Sequence, residues 1–273
     1  MSSLSSKEIL EKVSDSAVPK ATMSAGKLLL LGILSGVYIA FGAGGSAMAS
    51  FNLVADPATL GVGKFLGAAV FPVGLMMVIL CGAELFTGNC LMIVGVLDKK
   101  AKLIQMFRNW GLVYVGNFIG SLIMVFLISQ TGLWDTGGGL LGAVVVKTAA
   151  DKVSLSFGSA FVRGILCNWL VCLAVYMATG AQEVISKIFS IWFVIMMFVL
   201  SGFEHSVANM YFIPAGIVAN STGDYGQILG VDASGLTAGS FVIDNLLPVT
   251  LGNIVGGCIF VGMAYWLAHR KLN

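Results

Sequence analysis

The chain has 273 residues, 58% hydrophobic and 10% charged, against roughly 45–50% and 25% in an ordinary soluble domain, which excludes a soluble globular protein. Fifteen Lys and Arg against thirteen Asp and Glu leave a formal charge of +2, too balanced for the basic footprint of a nucleic-acid binder. Thirty-five Gly with five Pro and no G-X-Y period exclude collagen, and in apolar company such Gly marks closely packed membrane helices.

Residues 1–27 are polar and lack the apolar stretch and small-residue cleavage site of a signal peptide. From Lys7 to Asp15 apolar and charged residues are spaced as on a surface helix, which predicts an amphipathic segment lying on the cytoplasmic face of a membrane. A membrane span needs about 20 mostly apolar residues, and six stretches qualify: 28–55, 64–96, 107–130, 158–178, 187–213 and 245–268. The connections 131–157 and 214–244, rich in Gly, Asp and Thr, read as loops or short caps, and 269–273 as a tail. Six spans place both termini on one side. Lys7, Lys12, Lys20, Lys27, the Lys99–Arg108 loop, Lys187, Arg270 and Lys271 gather there, against Lys64, Lys147, Lys152 and Arg163 opposite, so both termini are expected in the cytoplasm of a bacterial inner-membrane protein. The five Cys residues lie in apolar stretches without a C-x-x-C pair, which suits buried small hydrophobes rather than metal ligands or disulfides.

The halves of the chain resemble each other. Gly82, Glu84 and Asn89 recur as Gly202, Glu204 and Asn209, a G-x-E-x-x-x-x-N pattern in spans two and five. Asn109, Gly116, Asn117 and Gly120 of span three recur as Asn245, Gly252, Asn253 and Gly256 of span six, and Gly32-Ile33-Leu34 of span one as Gly164-Ile165-Leu166 of span four. A duplicated unit of three spans must insert upside down, giving the inverted 3+3 repeat of transport proteins, with units 28–130 and 158–268. A carboxylate at mid-bilayer costs roughly 2.5–3.5 kcal/mol on insertion scales and faces protein or water. Spans two and five are therefore predicted to break at Glu84 and Glu204, with these and Asn89 and Asn209 satisfying the freed backbone groups along a cavity.

The runs Cys81–Thr87, Gly202–Met210, Ile213–Gly216 and Asp244–Asn253 resemble the formate/nitrite transporter family of small-anion channels over nearly the whole chain. The resemblance implies an all-α, aquaporin-like protomer assembled as a homopentamer in the lipid bilayer, with a pore in each protomer and no cofactor. By motif position it implies a pore histidine at His205 and a threonine partner at Thr87. It also implies a periplasmic constriction of Phe71, Leu75 and Phe198, and a cytoplasmic one of Leu85, Phe86, Asn168 and Val171. Lys152 would attract anions into the outer vestibule, and Glu204 and Asn209 would surround the histidine. Gly42–Ser50 lacks the family's threonine-rich stretch, which turns the reading from formate toward the hydrosulfide branch.

His269 sits beside Arg270 and Lys271, so His205 is the one histidine placed within a span. A bare anion in an apolar constriction faces a Born penalty of tens of kcal/mol. An imidazole with an ordinary pKa of about 6.5 suits proton exchange near neutrality, so the expected function is proton-assisted passage of hydrosulfide, formate or nitrite. The same scaffold serves proton-coupled carriers. A metalloenzyme built on Glu84, Glu204 and His205 lacks any two-histidine spacing, so no enzyme and no metal is expected.

Overall fold

Inside a bilayer every backbone N–H and C=O must be satisfied within the protein, which leaves helices as the available spanning form for so apolar and Gly-rich a chain. The computed structural model describes residues 4–271, and among these the regular elements are helices. Residues 1–3, 272 and 273, the outer ends of the expected N-terminal segment and C-terminal tail, lie outside the described residues. Helix α1 covers Ser6–Thr22, closed at its start by a reciprocal pair of Ser5 and Glu8 hydrogen bonds. Then come α2 (Ala25–Val54), α3 (Leu60–Val70), α4 (Val73–Cys81), α5 (Phe86–Asn89), α6 (Met92–Leu97) and α7 (Leu103–Ser129). The second half holds α8 (Leu140–Val153), α9 (Phe157–Gly180), α10 (Val184–Leu200) and α11 (Ser206–Thr222), and a C-terminal helix, Ala238–Arg270, with π-type stretches at Phe241–Leu246 and Cys258–Met263. Five stretches, Ala25–Val54, Leu60–Cys81, Leu103–Ser129, Phe157–Gly180 and Ala238–Arg270, are long and apolar enough to cross a membrane, and Val184–Leu200 is a shorter apolar helix.

Glycine fixes how the long helices cross. A Cβ on Gly120 would stand 2.0 Å from the Ile33 carbonyl oxygen and one on Gly256 2.2 Å from that of Ile165. The α2/α7 and α9/C-terminal helix pairs therefore meet backbone to backbone at matching positions, as small residues permit in membranes. Glycine also ends the two interrupted helices: α4 stops at Gly82 (φ 77°) and α10 at Gly202 (φ 71°), both left-handed, a conformation that strains residues with a Cβ. The non-helical residues Ala83–Leu85 and Phe203–His205 follow, before the chain turns helical again at Phe86 and Ser206.

Three expectations change. The break expected in span five is present, but the helix after it runs on to Thr222 through residues read as a loop. The connection over 131–157 contains the 14-residue helix α8. And the apolar stripe of α1, read as facing a membrane surface, is covered by protein: Leu10, Val13, Ser14, Ala17 and Ala21 are buried where α1 packs against α6, α7 and α9.

The crossing geometry predicts that Gly120→Ala destabilises the protein by about 2–3 kcal/mol through overpacking against backbone. Gly111→Ala, where a Cβ meets nothing within 4 Å, should be neutral or slightly stabilising. Thermal melts of both variants in one detergent compare them directly, and equal melting temperatures would contradict the close crossing.

Candidate functional site

Each break is held by the same set of bonds. In the first, the Asn117 amide donates to the carbonyls of Gly32 (2.9 Å) and Glu84 (3.0 Å) and accepts from the Phe86 N–H (3.0 Å). In the second, Asn253 donates to Gly164 (2.8 Å) and Glu204 (2.9 Å) and accepts from the Ser206 N–H (2.9 Å). The Glu84 N–H reaches the Leu31 carbonyl, and the Glu204 N–H that of Arg163, both at 3.3 Å. Backbone groups that a helix would have paired are thus satisfied at mid-chain by asparagine side chains, as buried polar groups require.

The carboxylates follow the same pattern. Asn89 Nδ2 donates to Glu84 Oε2 (2.7 Å) and to Asn109 (2.8 Å), and Asn209 Nδ2 donates to Glu204 Oε2 (2.6 Å) and to Asn245 (2.7 Å). A lysine completes each set. Lys152 of α8 reaches Glu204 Oε1 at 2.9 Å, while Lys20 of α1 reaches both oxygens of Glu84 at 2.7 Å and Asn89 Oδ1 at 2.9 Å. Lys152 thus stands on α8 and pairs with Glu204, while the adjacent Asp151 pairs with Lys147. Lys20 is not evident as a site residue from its own surroundings, since it precedes the first apolar span and its partner lies 64 residues on. The signal was there: Lys20 and Lys152 differ by 132, the same offset as Gly32 and Gly164. The packing agrees, since Gly95 sits against Ala17 of α1 and Gly216 against Ala149 of α8.

The halves differ where the broken helices meet. Position 205 is His where its counterpart is Leu85, and Thr87 has Val207 as its counterpart. Thr87 Oγ1 and His205 Nε2 lie 2.9 Å apart, both buried, at 0% and 3% exposure. His205 Nδ1 accepts the Ala208 N–H at 3.0 Å, capping α11. The neutral ring therefore carries its proton on Nε2 and donates it to Thr87. Asn209, four residues on, is not a partner of the ring.

Two cavities lie near this pair, one lined by His205 and the other by Leu85 and Gly88 on either side of Phe86 and Thr87. The α8-side cavity, about 560 Å³, is lined among others by Phe71, Lys152, Phe198, Glu204 and His205. The α1-side cavity, about 270 Å³, is lined among others by Lys20, Leu75, Glu84, Leu85 and Asn89. Phe71 and Phe198 pack edge to face at 5.6 Å, and Phe198 stacks on the His205 ring at 5.9 Å. Leu75, expected beside Phe71 and Phe198, lines the opposite cavity with Leu85. Phe86, expected in the cytoplasmic constriction, turns to Trp110 and Tyr114 (5.9 and 4.9 Å) and lines neither of these two cavities, because Leu85 is extended and successive side chains there point to opposite sides. Asn168 and Val171 are buried, and the Asn168 amide donates to the carbonyls of Thr87 (3.2 Å) and Asn253 (2.6 Å). The five thiols are free, four of them buried, and Cys172 donates to the Thr87 carbonyl at 3.3 Å. Among the described residues no three His, Cys, Asp or Glu side chains are grouped to hold a metal ion.

An ionic cluster fastens α1 over its cavity. Glu11 pairs with Lys100 and Arg270, and Asp15 with Lys100 (2.7 Å). Hydrogen bonds from Lys100 and Arg270 hold the Glu11 carboxyl below its usual range, and those to Asp15 and Glu11 raise the Lys100 ammonium. For a lowered carboxyl the contribution to docking is complete above the ordinary value near 4.3 and is lost as pH falls through the lowered one. Protection of the residue 6–22 amides, taken relative to the intrinsic exchange rate at each pH, should therefore fall on acidification below about pH 4, and Glu11→Gln should lower it already at pH 7 and flatten the acid response. Protection indifferent to both changes would contradict this fastening.

The formate/nitrite transporter family model matches residues 7–267. The chain is 46% identical to the probable formate transporter of Methanothermobacter thermautotrophicus, covering 90% of each chain, and 38% identical to the formate channel FocA of Escherichia coli K12, covering 97% of this chain and 94% of that one. Among solved structures it resembles a pentameric formate channel with formate bound (37% identity, 90% and 98% covered, TM-score 0.77) and an FNT family ion channel (31%, 96% and 98%, TM-score 0.81).

Proposed function

The chain belongs to the formate/nitrite transporter family, a family of multi-pass membrane transporters and channels rather than enzymes, and we propose that it is a channel for small monovalent conjugate bases of weak acids, formate first among them, with the His205–Thr87 pair assisting passage by proton. The observation that carries this reading is the 2.9 Å contact between Thr87 Oγ1 and His205 Nε2, buried at the floor of the α8-side cavity, with the residues beside Thr87, Leu85 and Gly88, lining the other cavity. With the ring's proton donated to Thr87, the Thr87 hydroxyl proton is free to point at an anion. An anion arriving from the α8 side meets N–H groups of Lys152, then the aromatic pair Phe71 and Phe198, then the hydroxyl and imidazole. Crossing apolar side chains as a bare charge is prohibitive. An anion that takes one proton from the water of the entry cavity and gives it back to the water on the exit side crosses as a neutral acid, the His205–Thr87 pair relaying that proton and returning to its starting state. Chloride, whose acid is far too strong to form, is rejected.

The formate named in two relatives and in one solved neighbour supports formate over the hydrosulfide favoured by the sequence reading, with hydrosulfide and nitrite as further weak-acid anions of similar size. The likeness to a pentameric channel supports a homopentamer with a pore in each protomer. The basic residues gathered near Lys7–Lys27, Lys99–Arg108 and Arg270 support an inner-membrane orientation with both termini and the α1-side cavity cytoplasmic. In that orientation α1 is the cytoplasmic N-terminal segment, and residues 28–268 form the channel unit.

The test is a liposome swelling series with formate, nitrite, hydrosulfide, acetate and chloride at several pH values. The wild type should pass formate faster as pH falls and exclude chloride. His205→Asn should lose most of that pH dependence and reduce formate flux by about tenfold, the worth of one good hydrogen bond at the barrier. Wild-type pH dependence in His205→Asn would remove the imidazole from proton transfer, and flux that saturates and is accelerated by formate on the far side would assign an alternating-access carrier instead.

A further inference from the structure

Helix α5 carries Thr87 and is only four residues long, so its place is set by what grips it. Helix α7 grips it at both ends. At its start the Phe86 ring stands edge to face against Tyr114 at 4.9 Å and Trp110 at 5.9 Å, two aromatic residues one turn apart on α7. The Phe86 N–H is held by Asn117 of the same helix. At the end of α5, Trp110 Nε1 donates to the Asn89 carbonyl at 3.0 Å. His205 is held from the opposite side, where Asn253 of the C-terminal helix bonds the Glu204 carbonyl before it and the Ser206 N–H after it. Thr87 thus goes with α7, and His205 goes with the C-terminal helix.

The distance between these two carriers therefore sets the distance between the hydroxyl and the imidazole. Asn168 ties the backbone side, by donating to the Thr87 and Asn253 carbonyls. The two carrier helices are joined to each other by the Tyr114 hydroxyl, 2.7 Å from Thr250 Oγ1. Tyr114 and Thr250 differ by 136, the offset of Asn117 and Asn253. The bond therefore links equivalent positions of the two halves, across the axis that relates them and three residues from each break-holding asparagine. The aromatic notch is one-sided, since the counterparts of Phe86 and Trp110 are Ser206 and Leu246. Neither Tyr114 nor Thr250 lines either of the two cavities, so they act on permeation only through what they hold.

We infer that Tyr114, tied to Thr250, is a positioning residue for the proton relay: through the Phe86 ring it fixes where Thr87 stands relative to His205. The inference rests on the channel reading and deepens it.

Tyr114→Phe keeps the ring against Phe86 and removes the hydroxyl, and Thr250→Val keeps the shape of the other partner. In liposomes each should lower formate flux roughly threefold to tenfold, the loss of one hydrogen bond, and flatten its pH dependence. The double variant should be no worse than either single one, and Thr250→Ser should behave as wild type. In a His205→Asn background Tyr114→Phe should lower flux little further. A second readout is the imidazole nitrogen NMR signal of reconstituted protein carrying His269→Asn, in which His205 is the sole histidine: its Nε2 resonance should move in Tyr114→Phe and in Thr250→Val. Should Tyr114→Phe fail to fold, Thr250→Val against Thr250→Ser decides. Lower melting temperatures with the pH dependence and the Nε2 resonance both unchanged would mark a purely structural bond and overturn the inference. An equal loss of flux with and without His205 would overturn it too. If the wild type passes no formate while the resonance still moves, the channel reading falls and the positioning of the pair stands.

Discussion

Two carboxylates buried at the helix breaks set the terms for everything around them. Neither Glu84 nor Glu204 can remain charged and unpartnered in so apolar a surrounding, and removing one partner of a buried pair typically costs 3–5 kcal/mol. Each is met by a lysine from a helix that precedes its half of the chain, and by an asparagine five residues on. The breaks exist because Gly82 and Gly202 turn left-handed there, and they persist because Asn117 and Asn253 bind the loosened backbone. It follows that α1 and α8 are members of the repeat rather than attachments. Each half comprises a lysine-bearing helix followed by its spans, and the two lysines face cavities on opposite sides of the centre.

Function comes from where the duplication is inexact. A strictly symmetric centre would hold two leucines or two histidines, and two valines or two threonines. The chain instead brings His205 from one half against Thr87 from the other. The imidazole is also oriented by its role as the cap of α11, which settles which nitrogen faces Thr87. The lysines diverge too: Lys20 is fully bonded, whereas Lys152 is not. An anion approaching from the α8 side therefore finds donors at once, and one approaching from the other side finds them engaged.

Much of this was legible in the residues. The G-x-E-x-x-x-x-N pair, the Asn117/Asn253 match and the helix-crossing glycines all repeat in the same order, and each has its counterpart in the bonding. The position of α1 was not legible as an interfacial helix because an apolar stripe looks the same whether lipid or protein covers it. What decides is Lys20, whose partner lies 64 residues away. The direction of Phe86 escaped for a related reason: after an extended break, one residue more or less turns a side chain from the cavity to the packing against Trp110. The length of α11 was hidden by Pro214, which sits inside the helix instead of ending it.

The central claim is that the anion is neutralised on its way through, and it is tested most directly by counting charge. Labelled formate flux and electrical current, measured on the same reconstituted protein under a fixed voltage and proton gradient, give the charge moved per formate. Proton-assisted passage predicts well under one elementary charge per formate, falling further as pH is lowered. One full charge per formate at every pH would contradict the account.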